Sequence, residues 1–358
     1  MIDQVTSSVD SGALAGAVAL VSRGGETRVD AIGRLAFGGA PMQRDSLFRV
    51  ASFTKPIVAA ATMILVESGR LALDEPVDEL LPELASPLVL RRSDGPLDDT
   101  VPALRAITVR DLLTFRMGLG ESDNPAIRSR QEGLELRTFG PPKPRSPLGP
   151  DEWMRRLGTL PLQYQPGERW LYGTSAQVLG VLIARAAGQS LEDFLRQRIF
   201  EPLGMRDTGF TAGDPARLTT AYLDGEEYDS AAGSQWSTPP SFPDGGGGLV
   251  STADDFNAFA QMMLAGGNGI LSAETVRQMT TDQLTAEQRA AGVAFLGPDT
   301  GWGFGLGVSV GDGRYGWAGG LGTLWSTSPD QQTVVLLLTQ RAIWTWPPEL
   351  FAAFEDAF

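Results

Sequence analysis

The sequence predicts an α+β fold in which one antiparallel sheet is assembled from both ends of the chain, flanked by helices, with a mainly helical domain inserted. Three observations predict it. Near the N-terminus, "AGAVALVSRGG" and "TRVDAIGRLA" alternate in the period-2 manner of strands and meet at a Gly-Gly turn, a hairpin signal. The last third alternates again in "GFGLGVSVG", "RYGWAGG", "GTLWSTSP" and "QTVVLLLTQ", the pattern of an antiparallel meander. Between them, helices and loops dominate. Strands at both ends with helices inside place the terminal strands in one sheet. The expected division is residues 1–75 with 244–358 as the α/β domain and 76–243 as the helical domain, with the functional site between them.

Taken in order, a short helix is expected over roughly Ile2 to Val9, then the hairpin, then "SLFRVAS" leading into a helix that begins near Phe53. That helix carries Ile57, Val58, Met63, Ile64, Leu65 and Val66 and is apolar on nearly every face, so it should lie buried between other elements. In "ITVRDLLTF", Thr108 and Asp111 have capping-box spacing. "SAQVLGVLIARAAG" and "SLEDFLRQRIFEPLG" read as helices ended by Gly. The run from Phe139 to Pro150 holds five prolines and predicts a stiff surface loop. "LVSTADDFNAFAQMMLAGG" reads as a helix capped at Ser251 or Thr252, and "PPELFAAFEDAF" as a closing helix with Pro in its first turn.

Composition narrows the chemistry. A net charge of −14 argues against a nucleic-acid partner and against docking on anionic lipid. "MIDQVTSSVDSG" has neither the positive n-region nor the apolar h-region of a secretory signal, which leads to the expectation of a cytoplasmic protein. The 358 residues include no Cys and no His. Thiolate nucleophiles, the usual N/S zinc sites and any Ser-His-Asp triad are therefore out of reach. A hydrolase built from this chain must draw its general base from Lys, Tyr, a carboxylate or the backbone.

Of 29 basic residues, 27 are Arg and two are Lys. Arg does not give up its proton in a protein, whereas a desolvated Lys does. Lys55 stands three residues after Ser52 at a helix start, so both side chains share one face of the first turn. There the helix dipole favours negative charge developing on Ser52 Oγ. A bland alternative is an N-cap serine beside a solvated lysine. A second serine, Ser309 in "GVSVG", matches the Gly-x-Ser-x-Gly elbow, but that motif needs a following helix and a His, and here a Gly-Asp-Gly turn and another strand follow. Tyr172 in "PGERWLYGTSAQ" sits on a short loop before a helix, where a phenol can be aimed into a cleft. In "YGWAGGLGTLW", the glycines after Trp317 mark a close backbone approach to a ligand or a packing contact. The "GGGG" run lacks the Gly-Lys-Ser/Thr of a phosphate cradle, and "DGEEYD" lacks calcium-loop spacing.

Together these phrases resemble the serine β-lactamase-like, penicillin-recognising superfamily, most closely its class C branch and the family VIII bacterial carboxylesterases. The resemblance runs over nearly the whole chain, through "SLFRVASFTKPIVAAATMILVESGRLALDEPVDELLPEL", "ITVRDLLTFRMGLG", "EPLGMRDTGF", "GGGGLVSTADDF" and "GWAGGLGT" in that order. It implies the β-lactamase/transpeptidase-like fold, with Ser52 as nucleophile, Lys55 as its paired lysine and Tyr172 as the tyrosine of a Tyr-x-Asn element. It also implies an oxyanion hole from the backbone N–H groups of Ser52 and Gly320, and neither cofactor nor metal. Two departures bear on substrate. Thr174 replaces the Asn, and Trp317, in Trp317-Ala318-Gly319, replaces the cationic Lys that would hold a substrate carboxylate. An aromatic wall in place of a charged anchor favours neutral, apolar esters over β-lactams. Phe53, Phe115, Trp170, Trp236, Trp302, Trp317, Thr174 and Gly319 are the expected substrate contacts. A dry pocket of this kind would let an alcohol or amine compete with water for the acyl group. The alternatives are a β-lactamase or D-amino-acid peptidase on the same scaffold, or a non-catalytic binding member.

Overall fold

A computed structural model describes residues 1–136 and 140–358. Seven antiparallel strands form the main sheet: β1 (Gly16–Arg23), β2 (Glu26–Gly33), β3 (Thr300–Trp302), β4 (Gly307–Ser309), β5 (Tyr315–Gly319), β6 (Thr323–Ser328) and β7 (Thr333–Thr339), in the order β2-β1-β7-β6-β5-β4-β3. The first and last strands of the chain are thus neighbours, with Ala17 opposite Thr339 and Arg23 opposite Thr333.

β7, "TVVLLLT", is buried along its whole length, which explains why it reads as a continuous apolar run. Its alternation feeds two cores. Val334, Leu336 and Leu338 join the main apolar cluster with Phe256 and Phe259, while Val335 and Leu337 face Val5, Leu350 and Phe354. β1 divides the same way, Val18 and Leu20 inward and Ala17 and Ala19 outward. The outer layer is α1 (Ile2–Asp10) and the closing helix; the inner layer includes α2 (Thr54–Glu67), α3 (Thr174–Ala187), α4 (Ala253–Leu264) and α5 (Ala286–Leu296), and the chain closes with α6 (Pro348–Glu355). The main cluster runs without a break from the sheet through α2 to the helices of residues 109–200.

As its composition predicts, α2 is buried from Thr54 to Leu65. It begins only after a 3-10 turn, Ala51–Phe53, so Ser52 lies in that turn and caps no helix. Thr108 and Asp111 form the expected capping box, and Thr252 is the N-cap of α4. Between residues 191 and 203 the expected single helix contains a π-helical stretch, Arg196–Phe200, just before Pro202. Proline lacks the N–H that α-helical bonding needs there. The middle segment also holds two hairpins that a reading of helices and loops misses, 88–90 with 100–102 and 221–223 with 226–229. Helices over Ala273–Met279 and Ala286–Leu296 were likewise unforeseen. Phe139 of the proline-rich run lies outside the described residues; from Gly140 to Gly149 the chain is irregular, and Tyr228 Oη donates to the Pro142 carbonyl at 2.6 Å. Among the described residues no helix is long and apolar enough to cross a membrane.

Candidate active site

The site is built around the turn that carries Ser52. Arg49, buried three residues earlier, is tied to the Asp229 carboxylate and lies over the Trp236 ring. Ala51 then takes φ +44°, a left-handed conformation that a non-glycine residue enters at a cost of about 1–3 kcal/mol. Ser52 follows in the 3-10 turn, and α2 delivers Lys55 onto the same face. Lys55 Nζ donates to Ser52 Oγ at 2.9 Å and also to the Gly246 carbonyl.

Tyr172 arrives from the other side. Its loop is fixed by Leu171 N donating to the Phe115 carbonyl and Glu121 N donating to the Tyr172 carbonyl, at 2.9 and 2.8 Å. Gly173, at φ +103°, then turns the chain into α3, a conformation that favours glycine. The Tyr172 hydroxyl donates to Ser52 Oγ at 2.9 Å and accepts from Trp317 Nε1 at 2.8 Å. The Lys55 ammonium lies 4.6 Å from the centre of the tyrosine ring. The three side chains therefore converge on one oxygen. Trp317, expected as an apolar wall, is that and also a hydrogen-bond donor to the phenol.

Gly320 lines the cavity next to Ser52, directly after β5. Gly319 does not face it: a Cβ there would fall 2.4 Å from the Val50 carbonyl. The close approach signalled by that glycine is between β5 and the nucleophile turn, not with a ligand. Gly307 of the elbow-like "GVSVG" has a similar explanation, since a Cβ would meet the Trp317 ring at 2.9 Å. Ser309 ends strand β4, as its surroundings in the sequence predict.

A cavity of about 650 Å³ opens above Ser52. Of the expected substrate contacts, Trp317 lines it, but Phe53, Phe115, Trp170, Thr174, Trp236 and Trp302 do not. Phe53 turns into the core against Phe256, ring centres 4.3 Å apart. Phe115, Trp170 and Trp302 pack behind Tyr172 as a buried aromatic cluster. Thr174 is fully buried at the start of α3. Trp236 Nε1 donates to the Gly248 carbonyl beneath the cavity floor. The walls instead include Phe210, Phe242, Phe295, Trp317 and Trp344, with Lys143 at the rim. Phe295 stacks on Tyr172 at 4.3 Å, yet remains 42% exposed, so it forms part of the mouth. The signal that would have found it is the Thr285–Gln288 capping box, which starts the helix carrying it.

Asp244 is a second residue missed. Its Oδ1 accepts from Gly246 N at 2.7 Å and its Oδ2 from Gln177 Nε2 at 3.3 Å. Burial pushes its carboxyl up, opposed by the Gly246 N–H, the Lys55 charge and Gln177. An Asp followed two residues later by Gly is an Asx-turn signal that the "GGGG" string obscured.

Residues 2–351 match the family model described as Beta-lactamase. Protein Rv1367c of Mycobacterium tuberculosis is 41% identical, over 93% of this chain and 87% of its own. Esterase EstB of Burkholderia gladioli is 34% identical, over 96% and 90% respectively. Among solved structures, EstCE1, described as a hydrolase with promiscuous acyltransferase activity, superposes with a TM-score of 0.83 at 26% identity, covering 99% of this chain and 97% of its own.

Proposed function

The chain belongs to the β-lactamase family, and from that premise we propose that it is a serine carboxylesterase that cleaves small apolar esters and also passes their acyl groups to acceptors other than water. The observation that carries this reading is the convergence of Lys55 Nζ and Tyr172 Oη on Ser52 Oγ, each at 2.9 Å, in a chain with no His.

Ser52 Oγ attacks the ester carbonyl carbon, and its proton passes to the Lys55/Tyr172 pair. Charge on the former carbonyl oxygen is held by the backbone N–H groups of Ser52 and Gly320. One such donor is worth ~10²–10³ in rate. Collapse of the tetrahedral species breaks the bond to the alkoxide, which leaves as an alcohol after taking the proton back from the pair. Water, an alcohol or an amine then loses a proton to the same pair and attacks the acyl carbon; the bond from that carbon to Ser52 Oγ breaks, and the pair returns the proton to Oγ. The partners implied are a small-molecule ester and an acyl acceptor.

Trp317 supports ester over β-lactam, because no cation stands at that position to hold a substrate carboxylate and the indole N–H is already committed to Tyr172. The test is a side-by-side assay of p-nitrophenyl butyrate and a chromogenic cephalosporin, the ester arm repeated with an added primary amine. Faster ester turnover, with amide among the products, is expected. Faster cephalosporin turnover would transfer the assignment to the β-lactamase reading, and hydrolysis alone in the amine arm would remove the acyltransferase half.

A further inference from the structure

Among the described residues, Lys55 donates to two partners, Ser52 Oγ and the Gly246 carbonyl. A peptide carbonyl points only where its loop directs it, and the loop from 244 to 248 is organised by one side chain. Asp244 Oδ1 takes the Gly246 N–H at 2.7 Å, and the Asp244 carbonyl takes the N–H groups of Gly247 and Gly248 at 3.2 and 2.9 Å. The glycines let this loop sit close to its neighbours. A Cβ on Gly245 would fall 2.6 Å from the Ala176 carbonyl of α3, and one on Gly248 would fall 2.8 Å from the Phe210 ring. The second carboxylate oxygen receives Gln177 Nε2 from α3, the helix that begins two residues after Tyr172. One carboxylate thus joins the loop that holds Lys55 to the helix that follows Tyr172.

We propose that Asp244 is a positioning residue for the esterase chemistry: it aims the Gly246 carbonyl at Lys55 and so holds the amine against Ser52 Oγ. The proposal rests on the assignment of Ser52, Lys55 and Tyr172 above. Among the described residues, Lys55 bonds to Ser52 Oγ and the Gly246 carbonyl and lies over the ring of Tyr172, whose hydroxyl accepts from Trp317. At the cavity rim Glu135 is paired with Arg156, and Lys143 is exposed.

Two variants separate this role from a merely structural one. Asp244→Ala removes the anchor for the Gly246 N–H, and misplacing a catalytic group by an ångström costs ~10²-fold. Its kcat should fall by about that factor, with KM little changed. Asp244→Asn keeps an oxygen for the Gly246 N–H, so it should recover most of that loss. The rate of Ser52 labelling by a fluorophosphonate is a second readout that does not depend on substrate choice, and it should fall and recover in step with kcat.

An Asp244→Asn variant as impaired as Asp244→Ala, or an Asp244→Ala variant as active as wild type, would overturn the proposal. A wild-type protein that neither turns over ester nor labels at Ser52 would instead defeat the underlying assignment, whatever the variants do.

Discussion

Replacing Ser52 by Ala should reduce turnover of p-nitrophenyl butyrate by ~10⁴–10⁶-fold, the range expected when the nucleophile of an interdependent set is removed. Among the described residues, no second hydroxyl of the site is paired with both Lys55 and Tyr172 to take over. Lys55 and Tyr172 would converge on a methyl group, and the chain offers neither thiol nor imidazole. Any residual rate would come from backbone donors and the cavity alone. The substitution removes one hydroxyl from a turn held by other forces: the Arg49 anchor, the Phe53 ring in the core and the first turn of α2. The variant should therefore unfold within a few degrees of wild type. Thermal denaturation alongside the kinetics checks this, and an active Ser52→Ala variant would remove the nucleophile assignment.

The second large effect is expected from Lys55→Arg. Charge is conserved, and this chain uses Arg for 27 of its 29 basic residues, so a purely electrostatic role would survive the exchange. A role in proton transfer would not, because a guanidinium keeps its proton and general-base action contributes ~10²–10⁴. Geometry points the same way. Nζ is held between Ser52 Oγ and the Gly246 carbonyl, over the Tyr172 ring, in a space that suits a compact ammonium better than a planar fork. The variant should lose about 10²–10⁴ in kcat/KM on the butyrate ester. Near-wild-type activity would show that Lys55 acts through its charge alone.

These two residues were legible in the sequence because the signal is local. A serine and a lysine three apart at a helix start share a face wherever that helix packs, and Lys55 is one of only two lysines among 29 basic residues. The sheet was legible for a similar reason. Period-2 runs at both ends, and the seven consecutive buried residues of β7, can hardly fold otherwise. Tyr172 is different: nothing in its own neighbourhood separates it from a core tyrosine, and family resemblance supplied it.

The cavity wall was not legible. Phe53 and Ser52 are adjacent, yet the 3-10 turn sends one into the core and the other into the cleft. Phe115 and Trp170 reach Tyr172 only from behind. Whether an aromatic residue lines a pocket or backs it depends on the rotation of its element about the core, which composition does not record. Phe295 was missed because the helix that carries it mixes small and apolar residues without a strong face. Asp244 was missed because its function runs through a backbone carbonyl, and no side-chain motif reports that.

The central claim, that Ser52 is the acylated nucleophile, is tested most directly by mass spectrometry of the native protein after a fluorophosphonate probe. One adduct per chain, located on the peptide containing Ser52 and absent from Ser52→Ala, is the predicted result. An adduct on the peptide containing Ser309, or no adduct on a folded protein, would contradict it.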